Sequence, residues 1–170
     1  AEHLSRVLRL AAGDPLTVFN GDGGEFAAVV AAVSKARVTV RLVRRVTPRA
    51  EVPIALTLAQ AVLKGDKMDG VVRDAVMLGL AAIQPIVTAR SEVTLAALIR
   101  SARRERWHRV AVSSAKQCGR AVVPAIAPPI AFDGPSSLAH LPAPLFILVE
   151  PGAVERPERE EVEHREHDAG

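Results

Sequence analysis

At residues 47–53, Thr47-Pro48-Arg49-Ala50-Glu51-Val52-Pro53, the hydrophobic pattern of the chain changes period. Before this segment, residues 16–46 alternate in steps of two. After it, apolar runs alternate with stretches of helical periodicity. A polar segment with two prolines interrupts helix and ladder alike, so a domain boundary is expected there. The two periods demand different layers. Alternation by two suits a half-buried sheet, and strands interleaved with helices imply βαβ units around a parallel sheet with right-handed crossovers.

On the N-terminal side, residues 3–10 read as a helical turn ending before Gly13. Residues 16–20, 25–33 and 37–46 read as three short antiparallel strands, and Gly21-Asp22-Gly23-Gly24 is the turn between the first two. In the third strand Val38, Val40 and Leu42 are expected inward, and Thr39 and Arg41 outward.

Beyond Pro53, residues 54–61 form an apolar run expected of a strand buried on both faces. Residues 64–78 have helical spacing at Met68, Val71, Val72, Ala75 and Val76, and Gly79 is placed for a left-handed cap. Residues 82–87 predict the next strand, with Pro85 suggesting an irregular or edge position. Residues 93–104 and 105–118 predict helices, the second with Trp107, Val110, Ala111, Ser114 and Cys118 on one face and Gly119 as its stop. A proline-rich loop then leads to residues 145–149, expected to be another buried strand.

The charge is unevenly spread. Residues 150–170 hold eight acids against Arg156, Arg159 and Arg165, a net of −5, so the formal +3 of the whole leaves +8 on residues 1–149. A basic body favours a polyanion through phosphate contacts and counterion release. With one Trp, four Phe and no Tyr, stacking of bases on aromatic platforms is not expected as the main binding mode. Trp107 reads as core. Cys118 is the only cysteine, which excludes an intrachain disulfide and a cysteine-based zinc site. His164 and His167 have helical metal-ligand spacing beside Glu160 and Glu163, but so charged a segment reads as solvated, and no metal is expected. No apolar run reaches membrane-spanning length and no leader pattern opens the chain, so a cytoplasmic protein with no membrane partner is expected. The chain opens on Ala1 rather than Met, and a few preceding residues are expected.

Several short motifs recur in a fixed order. They are His3-Leu4-Ser5-Arg6-Val7-Leu8-Arg9, Gly13-Asp14 and Phe19-Asn20-Gly21, then Leu58-Ala59-Gln60-Ala61, Lys64-Gly65-Asp66-Lys67-Met68-Asp69 and Leu78-Gly79. Thr88-Ala89-Arg90-Ser91, Gln117-Cys118-Gly119-Arg120 and Pro124 follow. As an ordered set over roughly residues 3–130, they resemble the ribosomal RNA small subunit methyltransferase E family. The resemblance implies a PUA-like RNA-binding β-barrel over residues 1–48, a SPOUT-class α/β domain of the trefoil-knot type over residues 53–150, here incomplete, and a charged tail over residues 151–170. It also implies methylation of uridine N3 in 16S ribosomal RNA with S-adenosylmethionine as donor, by a homodimer. Carried over residue by residue, it assigns Arg90, Gln117 and Arg120 to catalysis. Leu148, Val149, Pro151, Gly152 and Ala153 would hold the donor, and Arg6, Arg9, Lys64 and Lys67 would contact RNA. Arg90 and Arg120 are accordingly expected to face one crevice.

The sequence also departs from that family. Where the family's donor loop reads Gly-Pro-Glu-Gly-Gly, this chain has Glu150-Pro151-Gly152-Ala153-Val154. Ala153 and Val154 resist the positive φ and close backbone approach that glycines allow. The later Leu-Arg-x-Glu-Thr segment is absent, and Met77, Ala89 and Lys116 stand where the family has Glu. Truncation or frameshift near residue 149 would explain the first two differences, and divergence would explain the substitutions. A catalytically inactive RNA-binding or ribosome-associated member is therefore the alternative, and a dimerisation module with incidental charge a third.

Overall fold

The computed structural model describes residues 10–34 and 37–148. Those up to His140 belong to one compact unit and those from Leu141 onward to another.

The period-two half folds as an antiparallel sheet in the order β1-β2-β3, with β1 at Pro15–Phe19, β2 at Glu25–Val33 and β3 at Val38–Val46. The turn between β1 and β2 is built by Asn20, whose Oδ1 accepts from the amides of Asp22 (2.9 Å) and Gly24 (2.8 Å). Gly21 and Gly23, both at φ +89°, supply the left-handed backbone that this turn needs. Val40 and Leu42 pair with the buried Val30 and Ala28, so both lie on the core side as expected. Leu42 is nevertheless half exposed, because β3 is an edge strand. The β2–β3 ladder skips Val43, passing from the pair Ala28–Leu42 to Ala27–Arg44. A bulge of this kind reverses the alternation. Arg41 and Arg44 consequently share the outer face.

Beyond Pro53, β4 (Thr57–Ala61), β5 (Ala82–Val87), β6 (Ala125–Ile126) and β7 (Ile130–Ala131) make a parallel sheet in which β5 pairs with all three others. Helices α1 (Lys67–Met77), α2 (Leu95–Arg100) and α3 (Arg103–Cys118) connect the strands. Met68, Val72 and Val76 of α1 and Trp107, Ala111 and Ala115 of α3 close the core with Ile83. Helix α1 ends in a Schellman motif: Leu80 N–H donates to Ala75 O (3.1 Å) and Gly79 N–H to Val76 O (3.1 Å), with Gly79 at φ +88°. Thr94 Oγ1 caps α2 at Ala97 N. The extended backbone of Ser101, which divides α2 from α3, shifts the expected helix boundary.

Several expectations need correction. The strand expected from residue 54 begins only at Thr57, and Ile54 and Leu56 are exposed. The helix expected from residue 64 begins at Lys67. Pro85 is fully buried in the central strand, not at an edge. Along β5, Ile83 O accepts from Ala127 N (2.9 Å) and Val87 O from Phe132 N (2.9 Å) on one side, and Ile86 O accepts from Val62 N (2.9 Å) on the other. Strand alternation therefore turns Pro85 toward the gap between β6 and β7, where a missing N–H costs no ladder bond. The buried Gln84 closes that gap, donating from Nε2 to Pro85 O (3.0 Å) and Pro128 O (2.8 Å). His140 Nε2 lies 3.3 Å from Gln84 Oε1.

The proline-rich stretch contains the short strands β6 and β7 and a 3-10 turn at Pro135–Leu138. In the second unit, residues 145–148 form no strand, and Phe146 and Leu148 are 80% and 98% exposed. An apolar run becomes a buried strand only where a neighbouring ladder pairs with it. Among the described residues nothing pairs with this one.

Candidate functional site

Parallel strands gather the loops that follow them at one edge of the sheet, the usual place for a ligand in open α/β folds. The loop after β4 carries Lys64 and leads to Lys67 at the start of α1, and the loop after β5 carries Arg90. Lys64 Nζ meets Glu92 Oε1 at 3.0 Å and joins the two loops; neither Asp66 nor Asp69 pairs with it. Asp69 instead takes Arg106. Gly65, at φ +61°, lets the first loop turn back sharply. The second loop is locked by a local network. Ser91 N–H donates to Thr88 O (3.0 Å), Thr88 N–H donates to Ser91 Oγ (3.0 Å), and the two hydroxyls lie 3.3 Å apart. That closed turn leaves Arg90 exposed at its tip. The result is a charged edge over the carboxyl ends of β4 and β5 in which the cations Lys64, Lys67 and Arg90 outnumber Asp66 and Glu92 by one.

Arg120 does not belong to this edge. It is 8% exposed and donates from Nε (2.9 Å) and Nη2 (2.6 Å) to Glu51 Oε2, and from Nη1 to Val76 O (2.8 Å) and Leu80 O (3.2 Å). These partners precede β4 and β5, so Arg120 sits at the amino end of strands whose carboxyl end faces Arg90. Helix α3 returns to that same amino end to feed β6, where Ala125 pairs with Ala82. Gln117, exposed in the last turn of α3, is therefore also remote from Arg90. A six-residue strand separates the two ends, roughly 16 Å of rise. The shared crevice expected for Arg90 and Arg120 is corrected on this geometry. Adjacency in a motif places residues at a helix terminus, but the crossover decides which end of the sheet that terminus reaches.

Of the donor positions expected from sequence, Val149, Pro151, Gly152 and Ala153 lie outside the described residues, as do Arg6 and Arg9 of the RNA group and the His164–His167 pair. Leu148 is described, and its side chain is almost wholly exposed. Among the described residues, no cluster of acids, histidines and cysteines could hold a metal ion, and no helix is long and apolar enough to cross a membrane.

Sequence reading missed two features. Glu51, inside the polar connector, is the carboxylate that fixes Arg120. Arg41 and Arg44, brought to one face by the bulge at Val43, were hidden behind a simple alternation. The side-by-side Arg44-Arg45 was the available signal for the second.

Comparison with known proteins agrees with this architecture. Residues 1–43 match the model of the RNA methyltransferase PUA domain, and residues 50–165 match that of the RNA methyltransferase domain. Ribosomal RNA small subunit methyltransferase E of Synechocystis is 34% identical over 148 residues, which cover 82% of this chain and 46% of that protein. The chain belongs to this methyltransferase family. The Bacillus subtilis member is 32% identical over 124 residues, covering 73% of this chain and 48% of the relative. A crystal structure of the Neisseria gonorrhoeae member bound to S-adenosyl methionine superposes with a TM-score of 0.75 at 32% identity, covering 83% of this chain and 57% of that one. The chain spans about half the length of the curated relatives it matches. Within the family fold, the antiparallel sheet falls largely in the PUA match and the parallel sheet wholly in the methyltransferase match.

Proposed function

We propose that this chain serves S-adenosylmethionine-dependent methylation of uridine N3 in 16S ribosomal RNA of the small subunit. The observation that carries the proposal is the superposition on a donor-bound member of the family at a TM-score of 0.75 over 83% of the chain. The cationic edge of Lys64, Lys67 and Arg90 supports it, since positive side chains at the mouth of a parallel sheet position phosphates without reading sequence. The donor would bring an already activated sulfonium methyl, so the protein's task is orientation. Arg90, presented on a rigid turn, is suited to that task, whereas Arg120 is engaged with Glu51, Val76 and Leu80. Leu148, Val149, Pro151, Gly152 and Ala153 would hold the donor. The same reading makes the protein a cytoplasmic, SPOUT-class homodimer.

The test is calorimetry of the 170-residue chain with S-adenosylmethionine. Binding heat that S-adenosylhomocysteine competes away is the expected result. Absence of any heat would remove methyl transfer from this chain and leave RNA binding as its role.

A further inference from the structure

Between β1 and α3 lies a groove of about 570 Å³, a volume within the range of small-ligand sites. One wall is β1, with Leu16, Thr17 and Phe19; the other is the α3 stripe of His108, Val112 and Lys116. Residues four apart on a helix point the same way, so the stripe is straight, and its two basic ends stand about 12 Å apart along the axis.

The β1 wall is a strand edge. Val30 N–H donates to Asp14 O (2.9 Å) and Asn20 N–H to Gly24 O (3.0 Å), so the even-numbered residues of this segment bond toward β2. Alternation in an antiparallel ladder turns the backbone of Thr17 and Phe19 the other way. Because β1 ends the sheet, those groups meet no partner strand among the described residues. The groove thus combines backbone donors and acceptors with no partner strand among the described residues, an apolar lining at Leu16, Val112 and Val123, and one lysine, Lys116, at the end of its α3 rim.

We propose that this groove takes a single-stranded segment of the RNA substrate, with Lys116 and His108 on its phosphates, bases against the apolar lining, and base edges reaching the backbone of Thr17 and Phe19. The inference rests on the RNA-substrate reading above and adds a binding site built from other residues than the edge of Lys64, Lys67 and Arg90. Charge complementarity selects the occupant. Arg109 and Lys116 are exposed on α3 with no carboxylate partner among the described residues, and the body of the chain carries +8. Asp22 is the single acid in the lining and can accept from a base amino group. A free strand edge also suits an extended peptide. The wall, however, lies within the segment matched by the RNA methyltransferase PUA model, and unstacked bases are held by rings such as those of Phe19 and His108 and by hydrogen bonds to their edges.

The experiment is fluorescence anisotropy of a short, labelled, uridine-rich single-stranded RNA with the 170-residue chain over a series of salt concentrations. Lys116→Ala is expected to weaken binding several-fold and to lower the slope of log K against log salt by about 0.7, the effect of one lost single-strand phosphate contact. Val112→Trp, which fills the groove, is expected to weaken binding about tenfold, the cost of losing one base-sized contact, with an unchanged melting temperature. Should that variant melt early, His108→Ala and Lys116→Ala, both at exposed positions, decide. Wild-type affinity in these variants would overturn the groove and leave the RNA reading intact. No RNA binding by the wild-type chain would overturn both. A short acidic peptide that binds the wild type more tightly than RNA, and is lost with Val112→Trp, would assign the groove to a protein partner and overturn the proposal.

Discussion

Arg120 reaches Glu51 across 69 positions of sequence, with Nε at 2.9 Å and Nη2 at 2.6 Å from one carboxylate oxygen. The same guanidinium donates to the carbonyls of Val76 and Leu80, and so holds the connector between the two sheets against the end of α1. The contact is a structural clamp. A planar, five-donor group can satisfy a carboxylate and two carbonyls at once, which an ammonium cannot.

Arg120→Ala should therefore destabilise the fold by about 2–3 kcal/mol. That is somewhat below the usual cost of breaking a buried pair, since Glu51 keeps a third of its side chain in water. Urea denaturation checks it, and Arg120→Lys should recover little of the loss. An Arg120→Ala protein with wild-type stability and abolished methyl transfer would restore the catalytic assignment made from sequence.

Gly79 ends α1 at φ +88°, and a Cβ there would run into the Val52 side chain. Gly79→Ala is expected to cost about 2 kcal/mol, of which about 1 comes from the left-handed backbone alone. In a Val52→Ala background the cost should fall to about 1 kcal/mol, because only the conformational part remains. Equal costs in both backgrounds would mean that the connector does not pack on Gly79.

Arg90 and Lys64 are exposed, so their removal should leave stability within about 0.5 kcal/mol of the wild type; the Lys64–Glu92 pair is the kind that contributes little. Each alanine variant should instead lower the salt slope of RNA binding by about 0.7. Arg90→Ala should also slow methyl transfer without a matching loss of donor affinity. A slope unmoved by either change would take the cationic edge out of the RNA path.

The antiparallel sheet, the helices α1 and α3, their buried faces and both glycine caps were legible because each is written locally. Val72 and Val76, or Trp107 and Ala111, are neighbours on a helix by spacing alone, and Gly79 and Gly119 mark stops that side-chain-bearing residues resist. The edge formed by Lys64, Lys67 and Arg90 was half legible: the motifs supplied the residues, and the parallel sheet joined them. Other features depended on register or on remote chain. The bulge at Val43 that pairs Arg41 with Arg44 is a property of two strands. The tolerance of Pro85 in a central strand depends on where β6 stops and β7 begins.

The sequence by itself determined the two layer types, the place where one gives way to the other, the family and the cationic surplus of the body. Only the tertiary structure decided that Arg90 and Arg120 stand at opposite ends of β5, and that Gln84 closes the gap beside Pro85 with help from His140. It also decided that the edge of β1 without a partner strand among the described residues faces α3. The physical reason is range. Periodicity and turn chemistry act over a few residues, whereas the partners of a guanidinium or an amide are whatever carbonyls and carboxylates the chain crossovers bring within hydrogen-bonding reach, and here those come from 40 to 69 positions away.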